Sequence, residues 1–168
     1  NNAKNFSLLI DGYSKSNLPK MDIPLYIIGD GKDVEKLKQK VKNLNLSENV
    51  IFKSKMVNPF PYVKSALFTL LTSRYEGFPR VITESLALGT PVISVDCQSG
   101  PKEVIQNEYN GLLIENYKPE ELANAMNRFV TDKNLYDICK KNALKSISHL
   151  SLENIAKDWQ KILNPKNE

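Results

Sequence analysis

Residues 67–95 read LFTLLTSRYEGFPRVITESLALGTPVISV. LFTLL is a short apolar run of the kind that forms a buried strand, and PVISV is a second. Between them lie the loop SRYEG and a helix that starts at Pro79 and stops at Gly89. Two such strands joined through a helix belong to a parallel sheet. The helix raises a question of its own. Val81, Ile82, Leu86, Ala87 and Leu88 are spread around its axis rather than striped along one face, which predicts a buried helix. Glu84 stands in its middle, and a buried carboxylate without a partner costs several kcal/mol or gives up its charge.

The same alternation extends in both directions. Upstream, Phe6, Leu8, Leu9, Ile10 and Tyr13 suit a helix ending near Pro19, and PLYIIGDG reads as a buried strand with its exit turn. Val34, Leu37, Val41 and Leu44 recur at helical spacing within residues 32–46, NVIFK is a short strand, and NPFPYVKSA a proline-started turn of helix. Downstream, DCQSGP leads into a short helix near Lys102–Gln106, NGLLI is a last strand, and three helices close the chain over 119–131, 134–147 and 152–163. Five strands separated by helices predict an α/β fold: a doubly wound, mostly parallel sheet with helices on both faces. Residues 1–163 read as one domain and NPKNE (164–168) as a tail. A doubly wound domain normally opens on a strand. This chain opens on a helix, so the first strand is expected to be cut away.

Composition narrows the function. Of 168 residues, 41% are hydrophobic and 25% charged, an ordinary globular balance. No apolar run reaches the roughly 20 residues that span a bilayer, and the N-terminus NNAKNFSLLIDG lacks the pattern of a signal peptide. The two cysteines, Cys97 and Cys139, form no CxxC pair, which predicts a reduced, cytoplasmic setting. Net charge is +4, but only Arg74, Arg80 and Arg128 among the 23 basic residues are arginines. Scattered lysines predict a solvated surface, with no nucleic acid as partner; a basic face resting peripherally on an anionic membrane is the better expectation.

In an open parallel sheet, ligands bind beyond the carboxyl ends of the strands. The loops there are 29–31 (GDG), 53–58 (KSKMVN), 72–79 (TSRYEGFP) and 96–101 (DCQSGP). The third is the most informative. Gly77 permits a tight turn, Pro79 suits the first helical position, and the N–H groups of Phe78, Arg80 and Val81 would make an anion site at the helix start. Glu84 follows about 7 Å further along the axis, and Glu76 just precedes the turn. A ligand with a phosphate at the helix end could thus offer hydroxyls to both carboxylates, one on either side. On spacing alone the plainer reading stays open, with Glu84 capping a neighbouring loop and Glu76 solvated. There is no GxxxxGK[ST], no GxGxxG, and no spacing of His, Cys and carboxylates that fits a metal. His149 is isolated and reads as a surface residue, Cys97 as a small buried one, and Trp159 as a packed or interface aromatic.

The stretch EGFPRVITESLALGTPVISVDCQSGPKEVI closely resembles the retaining group 1 (family 4) glycosyltransferases, and the likeness runs through nearly the whole chain. The resemblance implies the Rossmann-like, C-terminal, nucleotide-sugar-binding half of a two-domain GT-B fold. Glu76 and Glu84 match the family's glutamate pair with seven residues between. It implies that Glu84 accepts hydrogen bonds from ribose hydroxyls and that Glu76 contacts the transferred sugar. Gly77, Phe78, Pro79, Arg80 and Val81 would face the diphosphate or sugar, Lys4 would neutralise the diphosphate, and Met56 would lie near the base. Ser54 departs from the usual glycine there. The family's arginine and the N-terminal acceptor-binding domain would precede residue 1. Fixed cations and amides would do the work of a metal, so no cofactor is expected, and a UDP-sugar is the expected donor. The other class of function compatible with these residues is a stand-alone nucleotide or sugar-phosphate binding module.

Overall fold

The computed structural model describes residues 3–98 and 100–163, and the expected tail at 164–168 lies outside the described residues. In chain order the elements are α1 (Phe6–Lys15), β1 (Leu25–Ile28), α2 (Val34–Asn43), β2 (Val50–Lys53), α3 (Phe60–Ser65) and β3 (Thr69–Leu71). There follow α4 (Arg80–Ala87), β4 (Val92–Val95), α5 (Pro101–Val104), β5 (Gly111–Ile114), α6 (Pro119–Thr131), α7 (Lys133–Ser146) and α8 (Leu152–Leu163). Every strand read from the sequence is present, and every pairing is parallel.

The strands form two sheets among the described residues. β1 pairs with β2, Leu25 opposite Val50; β4 lies between β3 and β5, with Val92 opposite Thr69 and Gly111. The edges of β1 and β3 are not joined to each other. All four residues of β4 are buried, as the central strand of a parallel sheet requires.

Helices cover both faces. On one, α1 and α6 press Leu9, Ile10, Tyr13, Leu122, Met126 and Phe129 against Ile27, Ile93, Val95 and Leu112, so a single core spans both sheets. The two helices approach closely: a Cβ on Gly12 would stand 2.7 Å from Leu122 Cδ2. On the other face, Ile82 and Leu86 of α4 pack with Leu71, Val92, Ile105 and Ala143.

Two expectations need correction. α4 is not buried all round; Ile82, Ser85 and Leu86 face inward, whereas Val81 and Phe78 are exposed. Trp159, read as a packed or interface aromatic, is not packed: it is 58% exposed, and α8 contributes no buried residue. His149 is exposed in a short turn of 3-10 helix.

Candidate functional site

The loop leaving β3 is fastened to the start of the chain. Thr72 Oγ1 donates to the carbonyls of Lys4 (3.0 Å) and Asn5 (3.2 Å), and the Arg74 N–H donates to Ala3 O at 2.8 Å. These bonds hold Lys4 over the loop, where its Nζ donates to Glu76 Oε1 at 2.7 Å. The Glu76 side chain is only 13% exposed, so the pair is partly shielded from water. Two residues 72 positions apart thereby share one charge-assisted contact.

The loop has two further braces that sequence reading missed. Tyr117 Oη lies 3.2 Å from Ser73 O and 3.1 Å from Arg74 O, and Tyr75 bridges to Gln98 on the loop after β4. Gly100, on that same loop, has φ of +103°, and a Cβ there would stand 2.9 Å from Pro79 Cδ. The exit loop of β4 thus abuts the start of α4 through a contact that a side chain would spoil. Gly77 differs from expectation. Its φ is not positive, and a Cβ there would meet nothing within 4 Å, so neither turn geometry nor packing demands glycine.

At the helix start, Pro79 occupies the N-cap rather than the first helical position. The Arg80 N–H, expected to point outward, donates instead to Phe78 O at 2.8 Å. Glu84, expected to be largely buried, has a side chain that is 35% exposed, and its partner is Arg80 Nη2 at 3.2 Å. Arg80 is itself 81% exposed, and an i,i+4 pair of that kind contributes only about 0.3–0.5 kcal/mol. Glu84 is therefore weakly held, and it lines a cavity.

That cavity, about 1100 Å³, runs between β1 and β3 and past their carboxyl ends. Lys4, Gly29, Met56, Ser73, Val81 and Glu84 line its upper part. Of the residues singled out from sequence, Lys4, Met56, Val81 and Glu84 are brought together here. Glu76 joins them through Lys4. Gly77, Phe78, Pro79 and Arg80 lie outside the lining. Ser73 is an addition: it is 1% exposed, and its Oγ has no hydrogen-bond partner among the described residues. A buried orphan hydroxyl on a cavity wall is available to a ligand. Its place in the exit loop, two residues after β3, was the only signal in the sequence.

Burial, followed by the negative charge of Glu76, pushes the Cys97 thiol up from its ordinary value. Both effects disfavour the thiolate. No three His, Cys, Asp or Glu side chains among the described residues are grouped to hold a metal ion.

A sequence model of the glycosyl transferases group 1 matches residues 1–146. The chain belongs to the group 1 glycosyltransferases. This glycosyltransferase chain is 32% identical over 162 residues to the amylovoran biosynthesis glycosyltransferase AmsD of Erwinia amylovora, covering 96% of itself and 45% of that protein. It is 38% identical over 134 residues to the lipopolysaccharide 1,6-galactosyltransferase of Escherichia coli K12, covering 76% and 34%. Among solved structures it superposes on a mutant of S. aureus TarM in complex with fondaparinux, alpha-GlcNAc-glycerol and UDP, with a TM-score of 0.87 and 26% identity. The overlap covers 96% of this chain and 33% of TarM. The chain spans less than half the length of each of these proteins. Its architecture is the Rossmann-like α/β half of a GT-B glycosyltransferase.

Proposed function

We propose that this chain is the donor-binding half of a retaining glycosyltransferase that moves a sugar from a nucleoside diphosphate to a glycan, lipid or other acceptor. The observation that carries the reading is the meeting of Lys4 with Glu76 at 2.7 Å, beside a cavity lined by Lys4 and Glu84. Residues far apart in sequence converge there with one cation and two carboxylates. A diphosphate needs the cation; sugar and ribose hydroxyls need the acceptors. The named relatives are glycosyltransferases, and TarM was crystallised with UDP, which supports a UDP-sugar as donor.

In this reading Glu84 holds the ribose hydroxyls, exchanging a weak contact with exposed Arg80 for stronger ones. Lys4 turns from Glu76 to the diphosphate as the glycosidic bond breaks and negative charge gathers on the leaving group. A positioned cation acts most strongly at that moment. Glu76 is then left to accept from the transferred sugar. The N–H group of Val81, the Ser73 hydroxyl and the face of Met56 complete the contacts. The acceptor arrives on an N-terminal domain of the same protein, so the 168 residues bind donor without turning it over. The full-length protein acts in the cytoplasm, with its lysine-rich surface against the cytoplasmic face of the membrane. Among the described residues no helix is long and apolar enough to cross it.

Calorimetric titration with UDP, UDP-sugars, GDP-sugars and uridine tests the reading. Lys4→Met is expected to weaken UDP by about tenfold, the size of one charge-assisted contact, while leaving uridine unchanged. Equal loss with uridine, or no binding of any nucleoside diphosphate, would overturn it. Sugar transfer by the 168-residue chain alone would remove the two-domain division of labour.

A further inference from the structure

Arginine is scarce in this chain, at 3 of its 23 basic residues, and two of the three, Arg74 and Arg80, flank Glu76. Arg80 is paired with Glu84 and Arg128 with Glu108, whereas the guanidinium of exposed Arg74 has no ion-pair partner among the described residues. The Arg74 backbone is nonetheless fixed at both ends. Its N–H donates to Ala3 O at 2.8 Å, and its carbonyl accepts from Tyr117 Oη at 3.1 Å. Next along the chain, Tyr75 bridges to Gln98 and yet is 66% exposed; Phe78, on the same loop, is 57% exposed. Large apolar rings are driven out of water wherever the fold allows it. A fastened loop that turns two of them outward beside an unpaired arginine therefore presents a contact surface. None of these three side chains lines the donor cavity, but Ser73 and Val81, which bracket them in sequence, both do. The surface thus adjoins the cavity from outside.

We infer that Arg74, Tyr75 and Phe78 form a seat for the acceptor, and that the acceptor is a sugar carrying an anionic group, a phosphate or a carboxylate. This rests on the donor-site reading, in which Glu76 holds the transferred sugar. An acceptor must meet that sugar from outside the donor cavity. Residues 74 and 75 directly precede Glu76, and two peptide units span at most about 7 Å, so the surface they present begins beside the transferred sugar. Chemistry selects the occupant. The C–H face of a pyranose is apolar and packs flat on an aromatic ring, while its rim of hydroxyls stays wet. The planar fork of a guanidinium donates two parallel hydrogen bonds to a phosphate or carboxylate, a geometry that lysine does not offer. In a lysine-dominated chain, an unpaired arginine next to two exposed rings is complementary to a ring and an anion joined in one ligand.

NMR titration of the isotope-labelled chain tests it with glucose 6-phosphate, glucuronate, methyl glucoside and inorganic phosphate. Each probe is added with UDP present, so that the donor cavity is filled. Glucose 6-phosphate, glucuronate or both should shift the amides of Arg74, Tyr75 and Phe78. They should bind about tenfold or more tightly than methyl glucoside, the size of one charge-assisted contact. The tighter of the two identifies the anion. Arg74→Gln should erase that preference, and Arg74→Lys should restore only part of it. Tyr75→Ala should weaken the anionic sugars severalfold and leave inorganic phosphate unchanged, since the ring meets only the sugar. Methyl glucoside binding as tightly as the anionic sugars overturns the proposal, and so does inorganic phosphate binding as tightly. An absence of shifts in this loop also overturns it and would leave the rings to a protein contact. UDP binding is read from the separate shifts around Lys4 and Glu84. Its failure overturns the donor reading, whereas UDP binding without discrimination among the sugars overturns this inference alone.

Discussion

Glutamine at position 84 or 76 keeps the side-chain volume and removes the charge. At 84 the proposed contact is to ribose, so Glu84→Gln should weaken UDP itself by roughly tenfold, since hydrogen bonds to charged groups contribute about 1.5–3 kcal/mol. Glu76→Gln should leave UDP affinity unchanged or slightly raised, because it releases Lys4 from its 2.7 Å contact, and should lower the rate of the full-length enzyme. Calorimetry with UDP and initial rates with UDP-sugar separate the two. Tyr13 sets a different test. Its hydroxyl donates to Ile23 O at 2.7 Å within the core, and burial pushes its pKa up to about 12. The unfolded chain loses that proton near pH 10. The folded state binds it more tightly, so the stabilisation is complete below pH 10 and is lost as pH rises from 10 to 12. The expected loss is on the order of 2 kcal/mol across that window. In Tyr13→Phe, denaturant midpoints should fall less steeply over the same range.

α4 shows which parts of an element can be read from sequence. Its start and end were legible, because proline and glycine mark them and strands flank them. Its buried face was not. Ser85 points inward, its hydroxyl donating to Thr69 Oγ1 at 2.7 Å and lying 2.9 Å from Thr90 O, while Val81 faces out. A satisfied serine in the core and a valine at the surface reverse the hydropathy pattern, so the helix looked apolar all round and Glu84 looked buried. Of the candidate site, the glutamates and the loop could be picked out from spacing and resemblance. Ser73 and Tyr117 were not, because their roles come from contacts between distant segments. α8 was placed correctly yet buries nothing: Leu152, Trp159, Ile162 and Leu163 are all exposed. Deleting residues 151–168 should therefore change the unfolding free energy by no more than about 0.5 kcal/mol. It should also reduce any self-association, because a contiguous apolar face is lost. Thermal unfolding and sedimentation velocity on the two proteins give the answer.

At the scale of the molecule, the five strands were legible because each is a short apolar run. Their division into two sheets was not, since pairing depends on which distant edges meet. What joins the halves in this chain is the packing of α1 on α6, closest at Gly12 and Leu122. This has a consequence for cooperativity. A domain melts as one unit only while its parts are coupled more strongly than each is stable alone. Here that coupling passes largely through one helix pair. Gly12→Leu should wedge the helices apart, at a cost of about 1–3 kcal/mol for overpacking. The single melting transition should then broaden towards two, with the calorimetric enthalpy exceeding the van't Hoff value.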